Sequence, residues 1–249
     1  MKRFSYIYWL SAILLLVSVA VYFIHYLIYR DAHSIFFYLV MDLAFLPLQV
    51  LLVGLVIERI MVRREKQEKL QKLNMVIGAF FSQVGNSLLR SLVDDLKNKE
   101  KICPQLNVTA LWTTRDFVKA IEFAGKFPIE FDKNKLDLYR LKTFLAERRE
   151  FVLTLLENPS LLEHDRFTDL LWATTHLDEE LSARESLDNL PPGDRDHIVN
   201  DIRRMYHHLT AEWLDYGMHL KANYPYLFSL VLRTHPFQEH PSAYVDNAA

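Results

Sequence analysis

The sequence predicts an all-α protein, an N-terminal two-helix transmembrane hairpin followed by a cytosolic helical bundle. Three observations carry that expectation. Two apolar runs of 23 residues each, 6–28 and 35–57, are long enough as helices to cross roughly 30 Å of hydrocarbon. The apolar residues after them recur at helical spacing, and no stretch alternates with period two. The chain accordingly divides into a transmembrane hairpin (1–60), a charged neck with an amphipathic helix (61–97), a cytosolic all-α domain (98–235) and a frayed tail (236–249).

The first run follows Lys2 and Arg3. A cleaved signal peptide is the competing reading, since Ser18-Val19-Ala20 has the small-x-small form, but Val21, Tyr22, Phe23 and Ile24 continue the run without a polar break. Six residues, Tyr29 to Ser34, join the two runs and force an antiparallel hairpin with a tight external turn. Two positive charges precede the first span, one lies in the turn and six follow the second. By the positive-inside rule both termini face the cytoplasm, in a multi-pass protein of the plasma (inner) membrane. Tyr6, Tyr8, Trp9, Tyr26, Tyr29 and Tyr38 cluster near the span ends, as interfacial aromatics do.

The neck carries Arg59, Arg63, Arg64, Lys66, Lys69 and Lys72 against Glu58, Glu65 and Glu68, a basic surplus suited to an anionic leaflet. Beyond it, Leu70, Leu73, Ile77, Phe80, Phe81, Val84, Leu88 and Leu92 share one helical face, and Gly78, Ser82 and Gly85 form a flank of small residues that lets another backbone approach. Residues 96–113, with Pro104, read as a loop. A short helix opens at Thr114 or Asp116 and runs to about Phe123, ended by Gly125 and Pro128. A longer one spans Asn134 to Glu157, and a third runs from about Ser160 to Leu187. Leu190-Pro191-Pro192-Gly193-Asp194 is the clearest turn. The helix after it reaches about Ala222 with Ile198, Ile202, Met205, Leu209, Trp213 and Leu220 on one face, and a last short helix covers Tyr224 to Arg233.

Asp42 is the sharpest chemical candidate, because a carboxylate inside a span is costly unless neutral, paired or facing water. Tyr22 lies at matching depth, His25 nearer the turn, and Gln49 adds a second buried polar group, while Pro47 frees the carbonyl of Leu43. Asp42 hydrogen-bonded to Tyr22 as interhelical glue is the favoured reading, and a proton or ion path is its competitor. Among ten histidines, His176 with Glu179, and His208 with Glu212 and His219, have the spacing of metal ligands on bundle helices. Drawn on a helical wheel, the first pair points into solvent and the second set lies on a polar flank with Asp201 and Asp215, so no metal is assigned. Trp172 falls on the outward side of its helix, where covering a neighbour is the favoured role.

Composition narrows the function. Of 29 Lys and Arg and 31 Asp and Glu, residues 1–60 take four and three, leaving 25 against 28, which gives no electrostatic footprint for nucleic acid. The lone Cys103 suits a reducing compartment, and the Asn107-Val108-Thr109 triplet faces the cytosol and is read as chance. There is no Gly-rich phosphate loop, Gly-x-Ser-x-Gly elbow or paired-cysteine motif, so neither catalytic residue nor cofactor is assigned and an enzyme is not expected.

Three stretches, YRDAHSIFFYLVMDLAF, KLNMVIGAFFSQVG, and SARESLDNLPPGD with NYPYLFSLVLRTHPF, resemble an uncharacterised group of prokaryotic two-span membrane proteins. The resemblance implies topology and source, with no activity and no functional residue to carry over. The expectation is a membrane-anchored helical interaction or scaffold module at the cytoplasmic face, its partners the lipid bilayer and a protein or a second copy of itself. The alternatives are an oligomeric conducting element built around Asp42, and a metal-binding helical sensor or enzyme.

Overall fold

The computed structural model describes residues 2–132, 135–161 and 164–244, with the side chains of residues 2–7, 67–70 and 160 outside the description. All of its regular elements are helical among the described residues, and the chain divides into two compact units, Met1–Lys66 and Gln67–Ala249.

In the first unit, α1 (Lys2–Tyr29) and the start of α2 (Ala32–Phe80) are long and apolar enough to cross a membrane by length and composition. Only Arg30 and Asp31 separate them, not the six residues expected. The cause is local: the Asp31 carboxylate accepts the backbone N–H groups of His33 (2.9 Å) and Ser34 (3.3 Å), drawing 32–34 into the helix it caps. Arg30, at φ 48°, takes the left-handed conformation that closes α1, its N–H donating to the Tyr26 carbonyl at 2.8 Å. From Tyr8 to Lys66 every residue is exposed except the half-buried His25, Ser34 and Ile35.

The second unit starts from the amphipathic end of α2. Leu73, Ile77 and Phe80 are buried, and the chain then makes one π-helical turn, Phe81–Gly85, before α3 (Asn86–Asp94) buries Leu88, Leu89, Leu92 and Val93. The wider turn puts both phenylalanines inside: Phe80 meets Phe167 edge-on at 5.3 Å, and Phe81 stacks on Tyr216 at 5.4 Å. The small-residue flank therefore receives rings, not a backbone. A Cβ on Gly78 would stand 2.7 Å from the Tyr216 hydroxyl, one on Gly85 would stand 2.4 Å from the Phe81 ring, and Ser82 is exposed.

Several boundaries differ from those expected. The segment read as a loop holds α4 (Lys99–Leu106), which buries Ile102 and Leu106 and keeps Pro104 on its exposed side. α5 (Thr114–Lys126) opens with a capping box between Thr113 and Asp116 and runs through Gly125. The expected long helix is two, α6 (Leu138–Ala146) and α7 (Arg149–Leu156), while its proposed start at Asn134 lies outside the described residues. The break has no glycine or proline. Arg148 makes it, folding its guanidinium over the Phe144 ring and donating to the carbonyls of Phe144 and, from another helix, Gln83. α8 (Asp165–Ser182) is shorter than expected at both ends, and α9 (Pro192–Asn223) takes Pro192 as its first residue, so the expected turn is already helix from there. α10 (Pro225–Thr234) follows, and the start of the tail expected to fray is instead buried, Phe237 lying with His235 against Trp213, while 239–244 are exposed.

The 32-residue α9 is the axis of this unit, packed by α3, α5, α8 and α10. The predicted face, Ile198 to Leu220, is buried in full.

The two crowded and open glycines predict opposite signs. Gly85→Ala drives a methyl into the Phe81 ring and should cost about 1–3 kcal/mol, whereas Gly125→Ala, with nothing within 4 Å on an exposed stretch of α5, should gain about 0.5–1 kcal/mol. Thermal melts of the two full-length variants check the pair; equal shifts would refute the ring contact.

Candidate functional site

The polar groups of the second unit gather on the seam between α8 and α9. The two helices run antiparallel, since His176 meets Asp201 near one end while Arg166 meets Asp215 near the other. Each end carries a histidine–carboxylate cluster.

At the first, His176 and Glu180 come from α8 and His197 and Asp201 from α9, each pair four residues apart and so on one helical face. The Asp201 Oδ2 lies 3.3 Å from His197 Nε2 and 3.6 Å from His176 Nε2. Glu180 lies nearby, its Oε1 3.9 Å from His176 Nε2 and its Oε2 3.6 Å from His197 Nε2. Arg184 fixes Glu180 at 2.8 Å and grips Asp194 through two bonds of 2.9 and 2.6 Å, holding both carboxyls below their ordinary range. Arg204, largely exposed, approaches Asp201 Oδ1 at 3.3 Å.

At the second, Glu212 is 1% exposed. His164 caps α8, its Nδ1 accepting the Phe167 N–H at 3.1 Å, and turns Nε2 toward Glu212 at 3.9 Å. An imidazole that accepts at Nδ1 keeps its proton on Nε2, so His164 offers Glu212 a proton and no lone pair. Burial, with Asp215 adding to it, pushes Glu212 up to about 8, and burial lowers His164. Glu212 is thus largely a neutral acid at pH 7.

The expected sites fare differently. His176, expected in solvent, is half-buried and faces Asp201 and Glu180; Glu179 is exposed. Glu212 and Asp201, expected on a polar flank, are inside, because α9 is covered on more than one side. No ion pair joins His208 or His219 to Glu212 among the described residues; His164 takes that place. His197 was missed altogether. Its signal was present as two His-x-x-x-acid pairs on neighbouring helices, His176 with Glu180 and His197 with Asp201. Trp172 stands 61% exposed. Cys103 is half-buried on α4, and burial pushes its thiol up, away from reactivity.

In the first unit Asp42, Tyr22 and Gln49 are exposed, and His25 lies against Tyr29 with ring centroids 4.8 Å apart. No hydrogen bond joins Asp42 to Tyr22 among the described residues, because α1 and α2 bury neither side chain. Arg59, Arg63, Arg64, Lys66 and Lys72 are exposed along α2, and the Lys69 side chain lies outside the described residues.

Residues 2–61 match a family described as the MJ1433 N-terminal helical domain, and residues 69–233 one described as the C-terminal helical domain of the uncharacterized protein MJ1433. The chain is 45% identical over 237 residues to the uncharacterized protein MJ1433 of Methanocaldococcus jannaschii, covering 95% of this chain and 94% of the relative. No solved structure matches.

The Glu212 environment has a pH signature. A carboxyl whose folded pKa of about 8 exceeds its ordinary 4.5 binds its proton more tightly when folded, so its contribution to stability falls as pH rises between those values. Glu212→Gln removes that loss. The variant should melt above wild type at pH 8.5, by a few kcal/mol of stability, with the difference shrinking toward pH 5. Parallel melts at the two pH values would refute the assignment.

Proposed function

Because the chain belongs to the MJ1433 family, whose two helical domains it carries in order, we propose that it is a membrane-anchored helical module that holds its second unit at the cytoplasmic face to bind a partner. One observation carries this reading: from Tyr8 to Ile57 the apolar side chains of α1 and α2 point outward, Leu15 and Leu16 at 70% exposure and Phe36 at 67%. An apolar surface that continuous is not stable in water, and hydrocarbon is the medium that accepts it, since a helix satisfies its own backbone. The basic residues from Arg59 to Lys72, which follow the apolar stretch within α2, then mark the cytoplasmic end of the span. The partners of this reading are the bilayer and a protein, or another copy, docked on the helical unit.

Asp42 favours a second reading. It has no hydrogen-bond or ion-pair partner among the described residues, so copies meeting at that depth would line a path with carboxyls. Asp42→Asn separates the two: proton or ion flux in proteoliposomes should be the same for wild type and variant under the anchor reading, and a flux abolished by the substitution would establish the path.

Topology is checked in a Cys103→Ser background. With alkaline washing the protein should stay with membranes, His33→Cys should react with an impermeant maleimide in intact cells, and the exposed Met75→Cys should react only after lysis. Release by alkali, or labelling of Met75→Cys from outside, would overturn the anchor.

A further inference from the structure

We propose that His176, His197 and Asp201, with the Glu180 carboxylate beside them, form a binding site for a divalent transition-metal ion, with zinc the best match, that ties the last turns of α8 to the first turns of α9. The donor atoms of His176, His197 and Asp201 lie within 4.8 Å of one another. Four ligands at zinc bond lengths of about 2.0–2.1 Å stand about 3.3 Å apart along the edges of a tetrahedron. The two imidazoles here stand 3.3 and 3.6 Å from the Asp201 Oδ2, so a small inward movement seats the ion on three protein ligands and leaves the fourth corner to water.

Asp201 supplies the independent sign of a ligand. Its residue is 2% exposed, it is aimed between the two imidazoles, and neither carboxylate oxygen has a hydrogen bond among the described residues. A buried carboxylate left in that state is expensive. Of the described guanidinium and ammonium groups only Arg204 pairs with it, at 3.3 Å from a largely exposed side chain. A cation between the rings would take the Asp201 charge and turn both Nε2 lone pairs inward. The surroundings tolerate that charge: Asp201, Glu180 and Asp194 are three carboxylates against the guanidiniums of Arg184 and Arg204. Imidazole with carboxylate suits zinc or its first-row neighbours, whereas calcium and magnesium prefer six or more oxygens. Arg184 acts as the outer support, orienting Glu180 through one oxygen while the other faces His176. The other cluster fails the same test, because the Nε2 proton of His164 leaves no lone pair toward Glu212.

The test uses the full chain in detergent, treated with chelator and dialysed, then titrated with Zn2+ by calorimetry and with Co2+ by visible absorption. One equivalent of Zn2+ should bind with micromolar or tighter affinity, and Co2+ should give the intense bands of tetrahedral coordination. His197→Ala and His176→Ala should each weaken binding by at least about tenfold. His197 is half exposed, so its variant keeps the fold, checked by circular dichroism. His208→Ala, outside the cluster, should bind as wild type, and Zn2+ should raise the melting midpoint of wild type and His208→Ala but not of His197→Ala. Absence of stoichiometric binding by wild type, wild-type affinity in both histidine variants, or an equal loss in His208→Ala would each overturn the site.

Discussion

Everything in the second unit depends on the covering of α9. A helix packed on one side keeps a polar flank in water, but α9 is met by α3, α5, α8 and α10, and its buried set widens from the apolar stripe to include Asp201, Thr210 and Glu212. A polar group carried inside in this way must be answered by a neighbouring element, since its hydration is gone. α8 answers at both ends of the seam, with His176 and Glu180 at one and His164 at the other. The remaining polar links follow the same rule. Trp213 donates to Asn86 at 3.2 Å, and the buried Asp178 of α8 is met by Arg149 of α7.

Much of the fold was legible because burial writes itself into spacing. Leu73, Ile77, Phe80, Val84, Leu88 and Leu92 were predicted as one face and are buried; Leu70 lies outside the described side chains. The start of α5 was readable because Thr113 and Asp116 act on each other within four residues. What stayed hidden was decided at a distance. The break between α6 and α7 comes from Arg148 reaching Gln83, a contact 65 residues away. α4 was obscured by Pro104, whose missing N–H is harmless on the outer side of a helix held by Ile102 and Leu106. The candidate metal ligands were half legible: both His-x-x-x-acid pairs stand in the sequence, but a single-helix wheel has no means of placing two helices against each other.

The first unit inverts that relation. There composition carries the argument and packing adds little, since from Tyr8 to Lys66 α1 and α2 leave their apolar side chains outward. The local detail that the structure contributes is the joint, where one aspartate and one left-handed arginine replace a six-residue turn. The two units are thus specified by different physics, medium in one and mutual burial in the other.

The π-helical turn at Phe81–Gly85 has a bearing on how the family is read. Continued as a regular α-helix, the face of Leu73, Ile77 and Phe80 would hold Leu88 and Leu92 at its margin and leave Leu89 and Val93 outside it, yet all four are buried. The turn holds one residue more than an α-turn and so has the form of a single insertion absorbed in place. Ser82 is its exposed member. A relative lacking that residue would close an ordinary α-turn and leave Leu88 and Leu92 where they are, so a one-residue gap between such sequences is expected at this turn.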